Sequence, residues 1–251
     1  VISLLAAQEI RRLFLSPLAW ALLAVVQFIL GYLFLVQIST FLDFQPQLAV
    51  TEGAPGLTEV VVAPLLSNAA IIMLLVTPLL TMRLVAEERR AQTLSLLFSA
   101  PLSMSEIILG KYLGLMGLLL IMLALTALMP FSLLLGGGLD LGMVASGFLA
   151  LALLLGSFAA LGLYMSTLTT QPAVAAISTF GVLLLLWVLD WAAQTDGGGT
   201  GRLFGYLSLL RHYETLLKGA FNSSDVFYYL LFILTFLVLS IRRLDADRLQ
   251  H

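Results

Sequence analysis

Six apolar stretches, each close to the length that crosses a bilayer, divide this chain and leave little room for any other structure. They run over about 17–41, 60–82, 104–135, 143–165, 172–191 and 226–241. A transmembrane helix needs about 20 mostly apolar residues, with a range of about 17–25. Inside lipid every backbone N–H and C=O has to be satisfied by the chain itself, which only helices and closed barrels achieve. Stretches this long are helices. The expected fold is therefore an all-α polytopic membrane protein, one transmembrane domain over 1–251, with an N-terminal interfacial helix at 3–15. Composition agrees. The chain is 61% hydrophobic and 10% charged, with a mean hydropathy of +1.06, whereas soluble domains are roughly 45–50% apolar and about 25% charged.

The first span opens with Ser16 as N-cap and Pro17 at the first helical position, where a missing N–H is harmless. It is too long for a signal-peptide core and lacks a convincing cleavage site, so it is expected to stay in the mature protein. The third stretch is too long for one crossing: 104–135 as a helix reaches ~48 Å, against a hydrocarbon core of ~30 Å. Ser103 and Glu106 form a capping-box pattern, so this helix is expected to begin in water and enter the membrane near Lys111. An ordinary cap with no further role is the competing reading of Ser103. The sixth stretch is short, its ends set by Asp225 and Leu244.

Orientation follows from lysine and arginine. With the N-terminus inside, nine basic residues fall on the cytoplasmic side: Arg11, Arg12, Arg83, Arg89, Arg90, Lys111, Arg242, Arg243 and Arg248. Three fall outside: Arg202, Arg211 and Lys218. Both termini are thus expected in the cytoplasm. The segment 194–225 begins with the flexible run 196–201 and continues with apolar residues at helical spacing around Arg211, Glu214 and Lys218. That pattern predicts a helix lying at, or dipping into, the outer interface.

Several functions are disfavoured. The chain has no cysteine, hence no disulfide, thiolate metal site or cysteine nucleophile. A formal charge of −2 speaks against nucleic acid. No phosphate-binding loop is present, since Gly110-Lys111 is followed by Tyr112 and lacks the upstream glycine. The glycine runs 136–138 and 197–199 read as turns. His212 near Glu214 supplies one imidazole and one carboxylate, too few for a metal site, and His251 is terminal. Asp190, beside Trp191, reads as an interfacial residue rather than a buried functional carboxylate.

Inside the spans, Gln27, Gln37, Asn68 and Thr77, with Thr81, are candidates for a polar translocation surface. Interhelical hydrogen bonds compete with that reading, at about 0.6 kcal/mol each. Pro78 and Pro130 are expected to kink their helices. The pair Gly110 and Gly114, and the row Ala152, Gly156 and Ala160, offer close-packing faces, for the bundle or for a dimer seam.

Charge concentrates between the second and third spans, from Arg83 to Lys111, with Glu87, Glu88, Arg89, Arg90 and Glu106 between them. A charged island in such a chain is presented to water, either as a plain solvated turn or to a partner. Residues 87–100 read as an amphipathic helix that Pro101 ends. Leu94, Leu97 and Phe98 give it an apolar stripe opposite Glu88 and Gln92, which lipid headgroups or a protein would cover. The segment 6–20, with Glu9, Arg11 and Arg12, reads either as an interfacial helix or, as composition alone favours, as a positive-inside anchor.

The run RLVAEERRAQTLSLLFSAPLSMSEIILGKYLG resembles the first cytoplasmic loop of ABC-2 type permeases, at Glu87, Glu88, Thr93, Leu96, Leu97, Pro101, Gly110 and Lys111. It departs where Gln92 replaces the usual glycine and Ser95 the usual glutamate. QEIRRLFLSPLAW is similar to the family's amphipathic N-terminal segment, and STLTTQPAVAAISTF, with Ser166, Thr169 and Gln171, to its second cytoplasmic turn. RHYETLLKGAFNSSDVFYYLLF resembles a subfamily linked to gliding motility and to nitrous-oxide reductase maturation. The resemblance implies a permease subunit of an ATP-driven transporter, usually an exporter, in a bacterial inner membrane. It also implies a dimer of such subunits, and a separate ATP-binding subunit that holds ATP and Mg²⁺. Glu87, Glu88, Thr93, Leu97, Phe98, Pro101 and Lys111 would then form the coupling element. The competing class is a membrane scaffold or assembly factor; a membrane enzyme would need paired carboxylates or histidines at one depth, which the spans lack.

Overall fold

The computed structural model describes residues 1–48, 56–93, 102–135, 139–195, 205 and 208–248. Nine α-helices occur among these: α1 (Ile2–Leu15), α2 (Pro17–Leu48), α3 (Ala63–Thr81), α4 (Ala86–Arg90), α5 (Met104–Ser132), α6 (Leu141–Leu168), α7 (Pro172–Thr195), α8 (Leu209–Leu217) and α9 (Ser223–Arg248). A π-helical turn, Thr58–Val62, leads into α3, and a 3-10 turn, Leu133–Leu135, closes α5. Six helical stretches are long and apolar enough to cross a membrane: Pro17–Gln45, Thr58–Arg90, Met104–Ser132, Leu141–Leu168, Pro172–Leu189 and Ser223–Arg248. The protein is a multi-pass helical membrane protein.

Helix starts follow the local chemistry. Pro17 and Pro172 begin α2 and α7, where no intrahelical donor is needed. The capping box at α5 is complete: Glu106 N–H donates to Ser103 Oγ at 3.2 Å and Ser103 N–H to Glu106 Oε2 at 2.9 Å. Asp140 caps α6, its Oδ1 accepting from Gly142 and Met143. At the α1–α2 elbow, Trp20 Nε1 donates to the Phe14 carbonyl at 2.8 Å and the two rings meet edge to face.

Helix α6 is the centre of the bundle and touches α3, α5, α7, α8 and α9. Small residues make this packing feasible where no hydrophobic effect drives helix to helix. A methyl group built at Gly147 would lie 2.6 Å from Leu66 Cδ1, and one at Gly156 would lie 3.0 Å from both Tyr112 Oη and Ile233 Cδ1. One at Gly162 would collide with Thr81. Each glycine therefore seats a different neighbour. The row at Gly156 serves the bundle within one chain, the first of the two alternatives left open by the sequence.

The pair Gly110 and Gly114 does the same for α1. With Gly117 they form a groove on α5 into which Leu5, Glu9 and Ile10 are pressed, a methyl at Gly110 or Gly114 falling 2.6 Å from Leu5 Cβ or Glu9 Cβ. Helix α1 is thus packed against protein on one face, which the anchor reading does not explain. The amphipathic segment expected at the outer interface is α8, and its apolar face is covered by protein rather than lipid. Tyr213 Oη donates to the Leu66 carbonyl at 2.8 Å, Tyr229 Oη to Leu209 O at 2.6 Å, and Ser146 Oγ to Leu216 O at 2.7 Å. Burial raises the Tyr213 phenol pKa, so it stays a neutral donor.

Candidate functional site: the charged end of the bundle

Helix α4 begins at the charged island and is held from four sides. Lys111 Nζ on α5 lies 2.6 Å from Glu88 Oε1, and Arg12 Nη1 on α1 lies 3.1 Å from the same oxygen. Glu9 on α1 reaches Lys111 at 3.7 Å, and Arg12 reaches Glu87 at 3.7 Å. On the far side, Arg89 pairs with Asp247 near the end of α9, and Arg243 approaches the same carboxylate at 3.7 Å. From α6, Ser166 Oγ accepts from the N–H groups of Val85 and Ala86 at 3.1 and 3.0 Å and donates to the Met82 carbonyl at 3.2 Å. Two of these are the free N–H groups that any helix start leaves over, so one hydroxyl near the end of α6 caps α4.

Burial ranks these contacts. The side chains of Lys111 and Glu88 are 8% and 14% exposed, whereas Arg12 and Glu87 are 45% and 44% exposed. Exposed pairs contribute about 0–1 kcal/mol; breaking a buried one leaves an unpaired charge and costs several times that. Lys111, read as the closing residue of a loop motif, is the anchor of the cluster.

The coupling helix read over 87–100 is shorter than expected in its first part. Helix α4 ends at Arg90, and Gln92 adopts φ +55°. Thr93 N–H donates to Glu88 O at 3.0 Å and Gln92 N–H to Arg89 O at 3.1 Å, the paired bonds of a Schellman ending. The left-handed position is the one where the sequence departs from the usual glycine, which explains why glycine suits it. Thr93 is exposed, its hydroxyl donating to Glu88 O at 3.3 Å. Leu94, Leu96, Leu97, Phe98 and Pro101 lie outside the described residues, as do the glycine runs 136–138 and 197–199 and the side chain of Asp190.

A prediction arises here. Gln92→Gly should leave the thermal unfolding midpoint of the purified protein equal or higher, whereas Gln92→Val should destabilise it by about 1–2 kcal/mol through the β-branched left-handed residue. An equal response of both variants would contradict the turn geometry.

Around the α6–α7 turn, Ser166 is buried, Thr169 is half-buried with its hydroxyl accepting from Gln171 N–H at 3.1 Å, and Gln171 is exposed. The intramembrane polar candidates do not converge. Gln27 Nε2 donates to Met122 O at 2.9 Å and to Thr126 Oγ1 at 3.1 Å, tying α2 to α5. Thr77 is fully buried and donates to Met73 O on its own helix at 2.7 Å. Asn68 is half-buried on α3 and, at about 100° per residue, points about 180° away from Thr77. Gln37 is half-buried on α2, and its Oε1 has no hydrogen-bond partner.

Sequence reading did not single out Glu9, Arg12, Arg89 or Asp247 as members of this cluster: the first three lie inside the family-like segments, but only their charge in so apolar a chain marked them out. It also noted only Glu214 near His212, and not Asp225. His212 Nδ1 lies 2.7 Å from Asp225 Oδ1, across the α8–α9 turn, with the imidazole stacked on Tyr228. No cluster of three metal-ligating side chains occurs among the described residues.

These features define a class: a six-span helical membrane protein in which the ion pairs among the described residues, His212–Asp225 apart, gather at one end, around a short helix between the second and third spans. The family model of the ABC-2 family transporter proteins matches residues 4–249, and the chain belongs to that family. It is a transporter-family membrane protein of the permease kind. No curated protein matches the sequence.

Proposed function

We propose that this chain is the permease subunit of an ATP-driven exporter, that it works as a dimer, and that a separate ATP-binding subunit docks at the connection between α3 and α5. The observation that carries this reading is the mounting of α4. A push delivered there passes to α1, α5, α6 and α9 through ion pairs and a hydroxyl cap. A solvated turn needs none of these. ATP and Mg²⁺ would sit on the partner, since the sequence lacks a phosphate loop.

In this reading Glu88 and Lys111 are internal fasteners rather than docking groups. Exposed Glu87, Thr93 and Gln171 face the partner, with Leu97 and Phe98 as apolar contacts. Conformational change would be relayed as a rigid-body rocking of the attached helices. The basic asymmetry supports both termini in the cytoplasm of a bacterial inner membrane, and the likeness of 211–232 supports the gliding-motility and nitrous-oxide reductase maturation subfamily.

Two experiments test it. In this cysteine-free chain, a cysteine at Gln47 or Gly198 should react with an impermeant thiol reagent from outside, and one at Gln92 should not. Labelling of Gln92 from outside would reverse the topology. Phe98→Ala should reduce recovery of the ATP-binding subunit, or uncouple its ATP turnover from transport, at unchanged membrane expression. A central apolar hot spot contributes about 2 kcal/mol or more, roughly a thirtyfold change in affinity. Unaltered recovery and turnover for Phe98→Ala, Leu97→Ala and Glu87→Ala together would remove the coupling role.

A further inference from the structure

A cavity of about 210 Å³ opens at the charged end, between α1, the start of α2, the end of α3 and α4. Its rim carries Glu9, Arg12, Arg83 and Glu87, with Ser16 at the elbow and Leu79 on the membrane side. Arg12 is already engaged by three carboxylates. Arg83 is exposed and, among the described residues, makes no ion pair or hydrogen bond. Glu87 has one partner, Arg12 at 3.7 Å, beyond hydrogen-bond distance, and is 44% exposed. A free guanidinium and a half-free carboxylate therefore line the same cavity.

The membrane side of the cavity continues into an exposed apolar stripe on α3. Helix α3 is mostly buried, yet Ile71, Leu75 and Leu79 are 37%, 52% and 38% exposed. They recur every fourth residue, on one face, and the next step along that face is Arg83. Trp20, 56% exposed on α2 and hydrogen-bonded at the elbow, gives the depth. Tryptophan near the end of a span sits at the headgroup level of the bilayer.

We propose that this cavity binds a zwitterionic aminophospholipid, with the phosphate on Arg83, the primary ammonium on Glu87 and one acyl chain along Leu79 and Leu75. The charge balance selects this headgroup. Two carboxylates and two guanidiniums on the rim leave no net positive charge for a purely anionic lipid. A quaternary ammonium carries no N–H to donate to Glu87, whereas a primary ammonium donates up to three charge-assisted hydrogen bonds. The site goes beyond the proposed transport role; it shares Glu87 with the proposed docking face, so it is tested on this chain without an ATP-binding subunit.

The test uses the full chain, purified in detergent with mixed lipids of identical acyl chains, and reads retained lipid by native mass spectrometry. Phosphatidylethanolamine should be retained about tenfold over phosphatidylcholine, the effect of one charge-assisted hydrogen bond. Arg83→Gln should abolish retention of both lipids, and Glu87→Gln should erase the preference while leaving the thermal midpoint unchanged. Equal retention of the two lipids by the unaltered chain would overturn the proposal, and needs no variant to fold. Preference for phosphatidylglycerol would overturn it too, by showing a plain basic patch. Displacement by millimolar glycerophosphoethanolamine would overturn the lipid assignment, because a soluble headgroup would then suffice.

Discussion

Lys111→Met should destabilise this protein by up to about 3–5 kcal/mol, the cost of leaving buried carboxylates with only the half-exposed Arg12 as their cation. Lys111 is 6% exposed, and its ammonium stands between Glu88 at 2.6 Å and Glu9 at 3.7 Å. Methionine replaces the stem and removes the charge, so packing changes little. The effect belongs to the pair, which a double-mutant cycle isolates. Adding Glu88→Gln to Lys111→Met should recover part of the loss, because one of the two carboxylates that then share Arg12 is gone. Glu9 would still face the methionine, so recovery should be incomplete. The measurement is the thermal unfolding midpoint of the purified variants in one detergent. A loss below about 1 kcal/mol for Lys111→Met would place this pair with ordinary exposed salt bridges.

Gly114→Ala tests the second large effect, and here the sign decides. In an exposed helix interior, alanine for glycine stabilises by about 1 kcal/mol. At Gly114 the added methyl would lie 2.6 Å from Glu9 Cβ and 3.1 Å from the Ala6 carbonyl oxygen. Neither can move without moving α1. Overpacking of this kind typically costs about 1–3 kcal/mol, so the variant should be destabilised and α1 displaced from its groove. Gly117→Ala should be milder, since it meets Ile10 Cδ1 at 2.7 Å, the free end of a side chain that can change rotamer. Gly181→Ala on α7, with nothing within 4 Å, is the control and should be neutral or stabilising. A rank order in which Gly114→Ala matches Gly181→Ala would show that α1 does not rest on α5 as described.

The fold was legible because the bilayer simplifies the problem. Each span announces itself by length and hydropathy, and Ser103, Glu106, Pro17 and Pro172 mark helix starts through chemistry that acts within one turn. What the sequence could not show was which side chains meet across the bundle. Glu88 looked like a docking group because nothing in its neighbourhood names Lys111, 23 residues on, or Arg12, 76 residues back, as its partners. His212 was set beside Glu214 by proximity in sequence, yet the α8–α9 turn delivers Asp225. Ser166 looked like a surface residue of a turn, whereas it lies buried as the cap of another helix. The ending of the helix at Arg90 was hidden for a different reason. A Schellman ending with glutamine at the left-handed position carries no sequence signal; the usual glycine would have supplied it.

The five charged residues that join α1, α4 and α5 will not answer alike to ionic strength. Mobile ions reach the Arg12–Glu87 contact, both partners being nearly half exposed, and a Debye length that shrinks from ~10 Å at 0.1 M to ~3 Å at 1 M weakens it. They reach Lys111 and Glu88 far less. Concentrated salt therefore loosens the outer strand of the cluster while the inner one holds. Helix α1 then rests on its glycine groove and the buried Glu9–Lys111 contact, and α4 stays fastened to α5. The protein thus carries an electrolyte-graded joint, in which the attachment of the N-terminal helix softens at ion concentrations that leave the neighbouring one intact.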